Sequence, residues 1–172
     1  TNTSRLGDAR RLIEEVEADE SAVEAPIRGA LLATSAMVRF LSGDPIDWEK
    51  VTSAVQLCEG PGSPAVPITS RPLLVEAILL HLAGRLLDAV ESVVELRRQL
   101  GDQGDEAGLA RVDFWVADIW CGLGRFDEAE RLVCGVVEAD GAEGVRGDAL
   151  GGLGDRLEGL RQLHVAGDAL EH

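Results

Sequence analysis

Hydrophobic positions recur along this chain at helical spacing. Leu73, Ala77 and Leu80 fall at i, i+4 and i+7, and Val112, Val116, Ile119 and Trp120 repeat the arrangement further on. Spacing of this kind lines apolar side chains along one face of a helix and predicts an all-α fold. The runs are interrupted at four short glycine signals: LSGD around Gly43, LAGR around Gly84, GLGR around Gly124 and VAGD around Gly167, at intervals of 41, 40 and 43 residues. An alanine stands seven positions before the first three glycines (Ala36, Ala77, Ala117), and another stands five positions after the second and third (Ala89, Ala129). The fourth copy departs from the pattern, with Leu160 at the small position.

Each copy reads as two helices meeting at the glycine, which supplies the backbone freedom that a tight reversal needs. After the glycine come a charged residue, a bulky apolar one (Leu86 or Phe126) and then acids in the first turn, where they complement the positive end of a helix. The paired alanines have a packing reason. Two antiparallel helices that cross closely cannot both carry large side chains at the crossing. A leading helix is expected over about 4–19, hairpins over about 25–59, 70–100 and 107–139, and a trailing helix over about 143–166, with boundaries good to about 2 to 4 residues. The connection CEGPGSPAVPITSRP, residues 58–72, contains four of the chain's six prolines and cannot be helical throughout. It reads either as a loop packed across a helix edge or as a flap. GDQGDEAG, residues 101–108, is a shorter polar joint of the same kind.

Composition narrows the function classes. A chain of 172 residues with 45% hydrophobic content can bury one substantial core. Its 31 acidic against 16 basic residues leave a net charge of -15, which repels a phosphate backbone, so direct nucleic-acid binding is not expected. Lys50 is the sole lysine, which excludes a P-loop of the GxxxxGK[ST] type. Cys58, Cys121 and Cys134 are odd in number, lack CxxC spacing and lie in apolar surroundings, pointing to reduced, buried thiols in a cytosolic protein. The run LLVEAILLHLAG is broken by Glu76 and His81 and is too short for a membrane span, so no membrane partner is expected.

Helix, glycine elbow, aromatic, acid, acid, alanine, helix resembles the tetratricopeptide repeat (TPR), most fully in residues 110–141. Ala117 stands at the small position of the first helix, Trp120 at the large position, and Gly124, Phe126 and Ala129 at the elbow and the start of the second helix. Residues 70–101 match less fully. In residues 26–58, Asp44 and Pro45 lengthen the elbow and Trp48 falls where the second alanine is expected. The family's closing proline is absent. A period near 41 resembles the long-repeat sensor arm of large ATP-binding bacterial transcription regulators, MalT-like or LuxR-type. This resemblance implies a right-handed α-solenoid of about eight helices, a single helical-repeat domain over 1–172 that is part of a longer protein, and a core position for Trp120. It further implies a non-catalytic module that binds a protein or peptide partner, or a small effector, in its concave groove. The alternatives are a self-associating scaffold, with a possible homodimer, or a free-standing TPR adaptor.

Carried over from the family's offsets, the groove positions are Ala33, Met37 and Phe40; Arg71, Leu74, Ile78 and His81; Arg111, Phe114, Asp118 and Cys121; and Leu157, Arg161 and His164. Arginines there could receive a carboxylate or phosphate through their planar fork; the same positions also fit ordinary solvated helix residues. Phe40, His81, Cys121 and His164 share one column, but a structural zinc site needs four clustered ligands, so neither metal nor cofactor is expected. His81 reads as a groove contact or pH-sensitive group, or as a plain surface or core-edge histidine. The acidic run LIEEVEADESAVE is a solvated helix face, and no GxSxG elbow is present, so the chain reads as no enzyme.

Overall fold

The computed structural model describes residues 2–17, 24–58 and 66–132, with side chains from residue 6 onward. Six helices lie wholly within them: α1 (Asn2–Glu17), α2 (Ala25–Leu41), α3 (Trp48–Cys58), α4 (Pro72–Leu82), α5 (Leu86–Gln103) and α6 (Glu106–Gly122). A seventh, α7, begins at residue 126 and is described as far as 132. No strand occurs among the described residues. The helix expected over about 143–166 lies outside them. The chain forms two compact units, Thr1–Ser92 and Val93–His172, which divide within α5.

The glycine elbows are built alike. Gly43, Gly84 and Gly124 have φ of 99°, 76° and 73°, a left-handed backbone conformation that residues with a Cβ rarely adopt. At each, the glycine N–H donates to the carbonyl three residues back, and the following N–H donates to the carbonyl five back: Gly84 to His81 (3.0 Å) and Arg85 to Leu80 (2.8 Å), Gly124 to Cys121 (3.0 Å) and Arg125 to Trp120 (2.8 Å), Gly43 to Phe40 (2.9 Å) and Asp44 to Arg39 (3.1 Å). This Schellman pattern satisfies carbonyls that the helix end would otherwise strand. The polar joint after α5 uses it as well, with Gly104 bonded to Gly101 and Asp105 to Leu100. Asp105 then caps α6, its carboxylate accepting from the Gly108 N–H at 2.8 Å.

In the Thr1–Ser92 unit, α2 packs against α1, α3 and α4, and α3 against α4. Its core includes Ala33, Ala36, Val51, Ala54, Val75 and Leu79, flanked by Leu32, Met37, Phe40, Ile46 and Trp48. The 3₁₀ turn Ile68–Ser70 packs on α2 and α4, so the end of the proline-rich connection is ordered against helix edges. Residues 59–65 lie outside the described region. Ala77 and Ala89 are both fully buried in this unit. The Val93–His172 unit has a cluster of Ala117, Cys121 and Ala129, flanked by Phe114, Trp120, Phe126 and Leu132. The small residues before and after Gly124 thus pack together.

The first elbow is longer, as Asp44 and Pro45 indicated, so α3 starts five residues after its glycine, where α5 and α7 start two after theirs. Val51, whose N–H bonds to Asp47 as Ala89 bonds to Arg85 and Ala129 to Arg125, therefore takes the second small position in place of Trp48. Val51 is buried and Trp48 only half-buried. Trp120 is likewise half-buried instead of enclosed. One side of its indole faces the Ala117 cluster, and the Arg125 guanidinium lies 5.0 Å from the ring centre.

Candidate functional site

The first helices of the pairs carry the expected groove positions, and their burial sorts them. In the Thr1–Ser92 unit, Met37, Phe40, Arg71, Ile78 and His81 are half-buried. Met37 and Phe40 spend part of their surface on the unit's core. Arg71 stands immediately before α4, its backbone N–H bonded to Ile68. Leu74, also expected in the lining, is a correction: at 2% exposure it packs inside and presents almost nothing to a ligand. Ala33 and Cys121 are buried for the same reason, each lying on the packed side of its helix.

In the Val93–His172 unit, Arg111 is exposed while Phe114 and Asp118 are half-buried. Phe114 meets Trp115 edge to face, with ring centres 5.8 Å apart, and also flanks the Ala117 cluster. Leu157, Arg161 and His164 lie outside the described residues. Within each unit the surviving positions combine an arginine, an aromatic or aliphatic surface and one further polar group. Such a surface can hold an extended chain or a small carboxylate by apolar contact plus one forked hydrogen-bonding group.

The thiols fit a structural role. Burial pushes the Cys121 thiol up to about 11, with the Asp118 carboxylate adding to the shift. Burial also raises Cys58, although Arg71 pulls the other way, and its Sγ donates to the Pro26 carbonyl at 3.4 Å. The nucleophile is the thiolate, so at pH 8 a group titrating near 11 is roughly one part in a thousand reactive. Native-state iodoacetamide mapping should therefore find Cys121 alkylated far more slowly than a free cysteine, the rate still rising beyond pH 9 and jumping in denaturant. Labelling of Cys121 at the free-cysteine rate under native conditions would contradict its burial.

Several polar arrangements escaped the sequence reading. Lys50 donates from Nζ to the Glu17 carboxylate (3.0 and 3.2 Å) and to Ser35 Oγ (3.0 Å). Arg97 grips the buried Asp113 carboxylate with two N–H groups, joining α5 to α6. Ser92 Oγ donates to Glu76 at 2.8 Å. Arg85 pairs with Asp88 and lies over the Trp48 ring at 5.2 Å. The hydrophobic pattern is silent on such pairs, because it identifies a helix face but not which charged residue lies opposite it. One signal was present: a single lysine in a chain rich in arginine.

An open cleft of about 610 Å³ lies beside α2 and α3, lined by Arg28, Asp47, Lys50 and Gln56 among others. Its charges are mixed, and none of the expected groove residues line it. Among the described residues no group of three histidine, cysteine or carboxylate side chains is placed to hold a metal ion. No helix among them is long and apolar enough to cross a membrane. No family model matches the chain, and no curated protein or solved structure shows a significant match to it.

Proposed function

We propose that the chain is a non-catalytic, TPR-like binding module, a right-handed α-solenoid from the sensor arm of a cytosolic bacterial transcription regulator of the MalT-like or LuxR type. One observation supports this above the others. The same elbow recurs at Gly43, Gly84 and Gly124 with the same pair of backbone bonds, and buried small residues precede each glycine at one offset. Repetition of one packed unit is how such arrays build an extended binding wall. The first helices would supply such a wall within each unit, α2 and α4 with Arg71 in one and α6 with Arg111 in the other, each arginine receiving an acidic group on a peptide or effector.

Titration of the protein with a panel of short acidic peptides and small dicarboxylates, followed by amide and arginine side-chain NMR, tests the groove. Hits should shift resonances around Arg71, Ile78, Phe114 and Arg111. Arg71→Ala or Arg111→Ala should weaken them about tenfold, the scale of a lost charge-assisted bond. Hits that map elsewhere and ignore both substitutions would remove the groove assignment.

A self-associating scaffold is the second reading, favoured by exposed apolar side chains such as Leu82 and Leu87, the latter 72% exposed. Sedimentation velocity across a wide concentration range separates the two. A monomer throughout would eliminate the scaffold.

A further inference from the structure

Helix α1 is held differently from its neighbours. Among its described side chains none is buried; Leu6, Ala9 and Ile13 are half-covered, and Leu12 and Val16 are 56% and 47% exposed. Besides its packing on α2, two ion pairs tie it to the rest of its unit. Arg10 Nη1 lies 3.3 Å from the Asp44 carboxylate at the first elbow, and Glu17 meets Lys50 of α3 at 3.0 Å.

The positions of Glu17 and Lys50 make this pair unusual. Glu17 closes the last turn of α1, a turn with no basic residue, so its charge opposes the negative end of its own helix. Lys50 stands in the first turn of α3, where a cation opposes the positive end. Each charge is unfavourable at its own helix end and is compensated by the other, with Glu49 the acidic residue beside Lys50 in the first turn of α3. The pair is also largely shielded from water, with side-chain exposures of 17% and 23%, and buried Ser35 supplies a further acceptor for the ammonium. Separation would return both charges to the helix ends that disfavour them.

We propose that α1 is a latch secured by the charge of Lys50, able to leave α2 and α3 while the helices beneath stay packed. Its weak apolar contact makes local release accessible, and the Glu17–Lys50 pair sets how often it occurs. Removing the Lys50 charge, or supplying a competing anion for it, opens the latch. This inference stands apart from the groove reading, because none of its residues belongs to the proposed wall.

Peptide-resolved hydrogen exchange of the full chain, wild type against Lys50→Met and Glu17→Gln, tests it. Methionine keeps the length of the lysine stem and removes a cation from the positive end of α3, so α3 itself should hold. The expected result is exchange in α1 faster by about tenfold in either variant, with α2, α3 and α4 changed by less than about twofold. The double variant should match the single ones, since one pair is lost in all three. Acceleration of α1 by less than about threefold in both variants overturns the latch. Equal acceleration of α1 and α2–α4 overturns it too, since it makes α1 part of one cooperative unit. Should Lys50→Met fail to fold, Glu17→Gln, whose change lies outside α2–α4, carries the same comparison.

Discussion

Replacing Leu79 with alanine should cost about 3 to 4 kcal/mol, the largest loss expected from a single truncation in the Thr1–Ser92 unit. Leu79 is fully buried in α4, and its cluster partners include Ala33, Ala36 and Ala54. Alanines have no rotamers with which to fill a void, so most of the space vacated by the leucine remains empty and the cost falls in the upper part of the Leu→Ala range. Met37, which flanks the cluster, is a flexible side chain able to recover part of it. The neighbouring Ile78→Ala, at a half-buried position, should lose clearly less, about 1 kcal/mol. Denaturant unfolding followed through Trp48, which packs on this core, provides the measurement. A loss under about 1 kcal/mol for Leu79→Ala would mean that the cluster is not a close-packed core.

Gly29→Ala should destabilise by about 1 to 3 kcal/mol, although alanine is the better helix former. A Cβ at Gly29 would stand 2.7 Å from Cys58 Sγ and 2.8 Å from the backbone carbonyl oxygen of Ala54. The thiol can turn aside, but the carbonyl belongs to α3 and moves only if the helix moves. Glycine here permits the close crossing of α2 over α3. Gly101, exposed within α5, has nothing within 4 Å of its would-be Cβ. Gly101→Ala should therefore stabilise by about 0.5 to 1 kcal/mol through helix propensity alone. Measuring both variants by the same thermal or chemical melt separates packing from propensity. If Gly29→Ala stabilised as much as Gly101→Ala, the close α2–α3 approach would not exist in solution.

Much of the helical framework was legible in the residues. Glycines at a regular interval with alanines at fixed offsets announced the elbows, and the structure has α2–α3, α4–α5 and α6–α7 turning at Gly43, Gly84 and Gly124. In the first pair, whose lengthened elbow was visible at Asp44 and Pro45, three extra residues move the small position from 48 to 51. Candidate-site residues were less legible. Offsets before the elbow placed Met37, Ile78 and Arg111 at surfaces with some access, yet Leu74 and Ala33 fell inside. A helix that packs against several neighbours buries a wider stripe than a single-partner offset rule allows.

What the chain's own pattern determined is local: where helices run, where each must end because a left-handed glycine follows, and where side chains must be small for backbones to approach. These follow from spacing along one dimension and from the steric limits of each residue. Only the tertiary structure decided which charges meet. Glu17 with Lys50 and Arg97 with Asp113 join residues on different helices, and Arg85 of the second elbow lies over Trp48 of α3; such pairing depends on how each helix is rotated about its axis when it docks. That rotation is set by summed packing of whole faces, a quantity that no short motif encodes.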